Sequence, residues 1–220
     1  MMKQTILPRE LVLIYSPIKE LDTPGTHLSA AETSQWNRFG CERKRREFVV
    51  TRQLAKHILA LYFNCDASAI ILGYEISGRP IIDQPRSDLQ ISWSHHRDHV
   101  VFGLYRSGRI GVDLEHCDRE VDHMSLAKRF CPPSFYQRLK RLSPPEAAKS
   151  FFHHWCQKES EHKVIGGHFL KRLNDTLDEP NAVQSVSVEK DGFILAASYL
   201  VKPTVMNFYR MSDDFNIVSW

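Results

Sequence analysis

The sequence predicts an α+β protein built as two lobes of similar size that meet near residue 108. Segments with apolar residues at helical spacing are interleaved with short runs that alternate with a period of two. Each half of the chain offers its own helices and its own antiparallel strands joined by tight turns. With 220 residues, 42% hydrophobic and 10% aromatic, the chain can bury a sizeable core as one large domain or two small ones. No internal repeat is visible in the residues, so the division into lobes 1–108 and 109–220 rests on the rhythm of the elements.

In chain order, residues 11–15 (LVLIY) read as a strand leading into a polar loop. Residues 35–63 (QWNRFGCERKRREFVVTRQLAKHILALYF) read as one strong helix. At 100° per residue, Val50, Leu54, Ala55, Ile58, Leu61 and Tyr62 fall on one arc, and Arg45, Arg52 and Lys56 form a narrow basic strip on another. In ILGYEISGRPII, Ser77-Gly78-Arg79-Pro80 makes a turn between two short strands. LQISWSHHRDHVVFGLYRSGRIGVDLE then reads as strands joined by tight turns, the second at Ser107-Gly108. The second half brings a basic helix around MSLAKRF, a break at Pro132-Pro133 and a helix at SFYQRLKRL. A long helix, PPEAAKSFFHHWCQKESEHKVIG, starts after prolines and stops at Gly166-Gly167. Strands follow at SVSVEK, FILAASYL and TVMNFYR.

Composition excludes several classes. The N-terminal MMKQTILPRELVLIYSP is broken by Pro8, Arg9 and Glu10, too short a run for a signal peptide, and no later run approaches a membrane span, so a cytoplasmic protein is expected. Five widely spaced cysteines without any CxxC read as reduced thiols, neither a disulfide framework nor a thiolate zinc site. A net charge of only +3, with a pI near 8.6, leaves attraction for anions to local clusters.

The stretch GRIGVDLEHCDRE carries the first chemical signal. Strand side chains alternate, so Ile110, Val112 and Leu114 share one face, and Gly111, Asp113 and Glu115 the other. Two carboxylates about 7 Å apart at Cα resist ionising together unless a cation lies between them or water surrounds them. A third acid comes from WCQKESEHKVIGG, where Trp155, Glu159 and Lys163 stand at successive i, i+4 positions of a helix. Exposed, Glu159 and Lys163 would be a surface pair worth a few tenths of a kcal/mol, roughly. With Asp113 and Glu115, Glu159 would complete three hard oxygen ligands suited to Mg²⁺.

These residues resemble a known family. GVDLE followed by WCQKESEHK is similar to the paired signature, G-[IV]-D-[IL]-E and W-x-x-K-E-[AS]-x-x-K, of the surfactin-synthetase-activating type of 4'-phosphopantetheinyl transferase. Weaker similarities follow in the family's order: RFGCERKRREFVVTRQLAKHIL to its basic first helix, SGRPII to its G-K-P turn, ISWSHH to its F-N-[IL]-S-H-S strand, and KRFCPPSFY to the segment after the acid pair. The resemblance implies two α+β lobes related by a pseudo-twofold axis, with coenzyme A and Mg²⁺ in the cleft between them. It implies transfer of the 4'-phosphopantetheine arm of coenzyme A to a serine of an apo acyl or peptidyl carrier protein, releasing 3',5'-ADP. Asp113, Glu115 and Glu159 would hold the metal, Lys163 would lie against the pyrophosphate, and Glu159, directly or through a metal-bound water, would be the base. Lys158, Arg46, Arg79, Pro80, Ser94 and His95 match the family's cofactor-facing positions.

The chain also departs from the pattern. Ile91-Ser92-Trp93 stands before Ser94-His95 in place of the usual F-N, His96 replaces a small serine, and Glu32 and Gln35 occupy a region where some members carry lysines. Zinc at SHHRDH or HHWC is disfavoured, since adjacent histidines diverge on a strand or a helix. The main alternative is a Mg²⁺-dependent nuclease or other phosphodiester-cleaving enzyme, with Asp113 and Glu161-His162-Lys163 as its D and E-x-K elements, although that E-x-K belongs on a strand and here has helical pattern. A non-catalytic module docking acidic partners would leave the three acids unexplained. Between the two acidic motifs, Lys128, Arg129, Arg138, Lys140 and Arg141 alternate with Met124, Leu126, Phe130, Phe135 and Tyr136. That mixture suits an acidic, partly apolar carrier helix, with Phe130, Arg138 and Arg141 as contacts. A monomer is expected, since one chain with both lobes forms the cleft alone, with neither nucleic acid nor membrane as partner.

Overall fold

The computed structural model describes residues 9–18, 28–118, 120–166, 183–212 and 216–219. The chain begins with β1 (Glu10–Pro17), followed by α1 (Ala30–Asn37), α2 (Glu42–Phe63), β2 (Ile71–Tyr74), β3 (Pro80–Gln84), β4 (Gln90–His96) and β5 (His99–Tyr105). Its second half contains β6 (Ile110–His116), α3 (His123–Phe130), α4 (Pro133–Leu139), α5 (Pro144–Ile165), β7 (Gln184–Lys190), β8 (Phe193–Tyr199), β9 (Val205–Met211) and β10 (Ile217–Ser219). The α+β class is thus present. Gly167, the second glycine of the expected helix stop, and Pro8 lie outside the described residues.

The run Leu11-Val12-Leu13-Ile14-Tyr15 is buried throughout, as a strand covered on both faces requires. β1 lies at the centre of a five-stranded sheet of order β10-β9-β1-β5-β4, parallel to β9 and antiparallel to β5. A second sheet has the order β6-β8-β7, and β2 pairs with β3 as a separate hairpin. Val12 and Ile14 pack with Leu54 and Ile58 of α2; Leu11 and Leu13 pack with Val112, Leu114 and Leu195 of the second sheet. On that sheet's other face, Ile194 and Ala196 meet Phe152 and Cys156 of α5. The layers therefore run helix, sheet, sheet, helix. β9 and β10 follow residue 108 in sequence yet complete the sheet around β1.

The long first helix is in fact two. α1 begins with a capping box, Ser29 Oγ accepting from Glu32 N and Glu32 Oε2 from Ser29 N, and ends at Arg38; α2 starts after Cys41. Gly40 lies in the break, where the missing side chain lowers helix propensity. Arg45 Nε donates to the Phe39 carbonyl there. The expected basic strip is consequently drawn inward: Lys56 pairs with Glu32 at 2.8 Å, both buried, and Arg45 stacks on Trp36. On the apolar arc, Leu61 remains exposed. α5 also carries a capping box, Ser143 with Glu146, but Pro144 and Pro145 are its first two residues rather than its preface. β10 has no counterpart among the expected strands.

Gly111 governs how α5 meets β6. A Cβ there would lie 2.0 Å from the Ser160 carbonyl oxygen and 2.9 Å from Lys163 Cβ, so the helix backbone rests directly on the strand. Gly111→Ala should therefore lower unfolding stability by about 1–3 kcal/mol in urea titration. Gly40→Ala, with nothing within 4 Å of the added methyl, should shift it by less than about 0.5 kcal/mol.

Candidate active site

On β6, Ile110, Val112 and Leu114 enter the core between the sheets while Asp113 and Glu115 face the other way, as alternation requires. α5 answers with Glu159, Ser160 and Lys163, one face of the helix at i, i+1 and i+4. The result is a cluster in which oxygens of Asp113, Glu115 and Glu159 all lie within 4.8 Å of one another. Among the described residues it is the only group of three or more His, Cys, Asp or Glu side chains so arranged.

Asp113 is 1% exposed. Its Oδ1 accepts from Lys163 Nζ at 2.8 Å and from Ser94 Oγ at 2.7 Å; its buried Oδ2 has no hydrogen-bond partner among the described residues. Lys163 Nζ also donates to the Val112 carbonyl at 2.8 Å. Glu115, 5% exposed, lies 2.9 Å from His96 Nδ1. Burial, with the Asp113 charge beside it, pushes the Glu159 carboxyl up to about 8 despite the opposing pull of Lys163. Burial works against the Lys163 ammonium, but Asp113 and Glu159 outweigh it and raise its pKa. One ammonium faces three carboxylates, an imbalance that a divalent cation with hard oxygen ligands would correct.

Lys163 also lines a cleft of about 900 Å³. Its walls come from Tyr74–Pro80, Ser92 and Trp93 of β4, Arg52 of α2, Arg109 and the end of α5 at His162–Gly166. Among the described residues, Arg52, Arg79, Arg109 and Lys163 are its cations and Glu75 its only carboxylate. Arg79 is 9% exposed; Nη2 donates to the Ile110 carbonyl and Gln90 Oε1, each at 3.3 Å, whereas Nε and Nη1 are buried without a hydrogen-bond partner among the described residues. Burial, then Arg109, lowers its pKa, with Glu75 opposing. Such a surface favours an extended anion.

Of the residues singled out in the sequence, Asp113, Glu115, Glu159, Lys163 and Ser94 come together, and Arg79 and Pro80 line the adjoining cleft. His95 turns elsewhere, to 3.7 Å from Glu47, and burial lowers its pKa. Arg46 is exposed on α2 and outside the cleft lining. Lys158 is buried and donates to Glu161 at 2.9 Å, away from the cleft lining. Glu161 also accepts from Ser185 at 2.8 Å, so it is engaged with Lys158 and β7 rather than with Asp113, against the E-x-K reading. The sequence reading assigned no site role to Arg52, Trp93 or Arg109. Arg52 stands 3.7 Å over the Phe48 ring and donates to the Tyr74 hydroxyl at 3.2 Å, a contact between elements that periodicity does not encode.

An acidic triad joined through Lys163 to a cationic cleft fits the class of metal-dependent enzymes that act on phosphate-bearing substrates. Residues 109–212 match the 4'-phosphopantetheinyl transferase superfamily. A 4'-phosphopantetheinyl transferase from Nostoc sp., HetI, is 31% identical over 70% of this chain and 66% of its own length. Two from Bacillus subtilis, one of them named ffp, are each 26% identical, over 76% and 79% of this chain and 69% and 72% of their own. The chain spans about two thirds of the length of these relatives. It belongs to this superfamily of transferases.

The raised Glu159 pKa has a consequence for stability. Between pH 4.5 and about 8 the unfolded chain releases this proton while the folded protein keeps it, so in EDTA the Glu159 contribution to stability falls as pH rises across that window. The Tm of the wild type should fall more steeply than that of Glu159→Gln, and Mg²⁺ should restore more Tm at pH 8 than at pH 6. Parallel Tm profiles for the two proteins would contradict this.

Proposed function

We propose that this protein transfers the 4'-phosphopantetheine arm of coenzyme A to a serine hydroxyl of an apo acyl or peptidyl carrier protein, with Mg²⁺ bound and 3',5'-ADP released. The observation that carries the reading is the convergence of Asp113, Glu115 and Glu159, joined through Lys163 to a cation-lined cleft. Family membership supports transfer to carrier proteins. The reading divides the chain into lobes 1–108 and 109–220 that form the cleft between them as a cytoplasmic monomer. No helix of the described residues is long and apolar enough to cross a membrane.

Asp113, Glu115 and Glu159 would hold the cation, whose chemistry there would be charge neutralisation of a pyrophosphate. Lys163 has three N–H donors and gives two contacts to β6, leaving one for a phosphate oxygen. Arg79, which also lines the cleft, offers its buried Nε and Nη1 to an anion. Glu159, directly or through a metal-bound water, would receive the serine proton. Ser94 steadies Asp113 through its hydroxyl, and His95 meets the phosphates only if it leaves Glu47.

The carrier would dock on α3 and α4. There Phe135 and Leu139 are buried, while Met124, Leu126 and Tyr136 pack partly against the same core. That leaves an outer face of exposed Lys128, Arg129, Arg138, Lys140 and Arg141 around half-buried Phe130. The surface is thus more cationic and less apolar than the sequence suggests, which favours electrostatic steering.

Incubation with coenzyme A, Mg²⁺ and an apo carrier should raise the carrier's mass by one phosphopantetheine arm. Asp113→Ala should remove most of that activity, at least about a hundredfold in kcat/KM, while circular dichroism stays native. Full activity of a folded Asp113→Ala protein at limiting Mg²⁺ would sink the metal assignment. Reversing Arg138 and Arg141 to Glu should raise the carrier KM, spare that for coenzyme A, and flatten the salt dependence of the rate; unchanged carrier kinetics would move the docking surface elsewhere.

A further inference from the structure

β4 lies beside β6 without backbone pairing, and alternate side chains of β4 meet β6. Ser92 Oγ accepts from Val112 N at 3.1 Å and Ser94 Oγ donates to Asp113 Oδ1 at 2.7 Å, whereas His96 Nδ1 lies at an ion-pair distance, 2.9 Å, from Glu115 Oε2 without hydrogen-bond alignment. The three β4 residues are two apart and so share one face, which meets the backbone amide of Val112 and the side chains of Asp113 and Glu115 on β6. The first two contacts use hydroxyls. The third uses an imidazole where the family pattern has a small serine, a side chain too short to reach in the same way.

We propose that His96 is a positioning residue for Glu115: its ring holds the carboxylate in the orientation that converges on Asp113 and Glu159. The inference rests on the reading of those three acids as metal ligands, and His96 itself lies outside the triad. The Glu115 side chain has three rotatable bonds, whereas that of Asp113 has two. It needs an outside contact more than Asp113 does, and Asp113 already has two, from Ser94 and Lys163. The His96 side chain is 16% exposed and that of Glu115 7%, so water competes little for the contact. Contacts of this kind, made by residues that do not ligate, typically alter metal affinity by about 10–100-fold.

Asn and Leu are nearly isosteric, and only Asn keeps a polar group near the place of Nδ1. Mn²⁺ would be titrated calorimetrically into metal-stripped wild type, Asp113→Ala, His96→Leu and His96→Asn, with folding checked by Tm in EDTA. Expected are binding by the wild type, none by Asp113→Ala, affinity about tenfold weaker in His96→Leu, and recovery of most of that loss in His96→Asn. In the transfer assay His96→Leu should raise the metal concentration for half-maximal rate about tenfold and approach the wild-type kcat at saturating metal. Wild-type affinity in His96→Leu, or an equal loss in both His96 variants, overturns the role of His96 while leaving the metal reading intact. A wild type that takes up no Mn²⁺ overturns the metal reading itself.

Discussion

The outer edge of β6 is the constraint on which the site depends. β6 pairs with β8 on one side only, so the N–H and C=O groups of its other edge need partners from elsewhere. They find them in side chains: Arg79 Nη2 on the Ile110 carbonyl, Ser92 Oγ on the Val112 amide, Lys163 Nζ on the Val112 carbonyl. All three side chains line the cleft. A continuous sheet would have given these positions to another strand and left no cleft. The gap between the two sheets is therefore also what places two cations and a hydroxyl along the strand that carries the acids.

Gly111 supplies the second condition. Because it lacks a side chain, α5 approaches until the Ser160 carbonyl rests against the strand, and that closeness lets Glu159 on the helix reach Asp113 and Glu115 on the strand. The carboxylates are buried by regular elements rather than by loops, which fixes their geometry more tightly. It also concentrates like charge in a dry place, and the raised Glu159 pKa is the electrostatic trace of that concentration.

Much of this was readable along the chain. The acid pair followed from alternation on β6, and Glu159 with Lys163 from helical spacing on α5, because both signals are local. What was not readable depends on contacts between distant segments. β1 pairs in parallel with β9, from Glu10 opposite Val205, and nothing near either strand encodes that partner. Lys158 had the family's position but donates to Glu161 one turn on, a competition between two acids that spacing leaves open. Lys56 sat on an expected basic strip, yet Glu32 of a separate short helix claims it. Here a local signal was missed: Ser29 and Glu32 form a capping box, which marks a helix start, and Gly40 marks the break.

Lys163 joins the two halves of the site, and its residue type matters. An ammonium directs three donors around a single point, so it can hold the Val112 carbonyl, hold Asp113 and still face the cleft. A guanidinium is planar and spreads its donors along a fork, and Arg79 accordingly reaches the Ile110 carbonyl and Gln90 with Nη2 while Nε and Nη1 stay without a hydrogen-bond partner among the described residues. The side chain of Lys163 stays 30% exposed while that of Asp113 is 1% exposed. The pair therefore has a wet end toward the cleft and a dry end toward β6. An anion entering the cleft meets the lysine from the wet end without displacing Asp113, so the same ammonium can neutralise a buried carboxylate and a phosphate oxygen together. In the proposed reaction this places the pyrophosphate at the boundary between the cationic walls and the acidic triad, where charge of one sign gives way to the other.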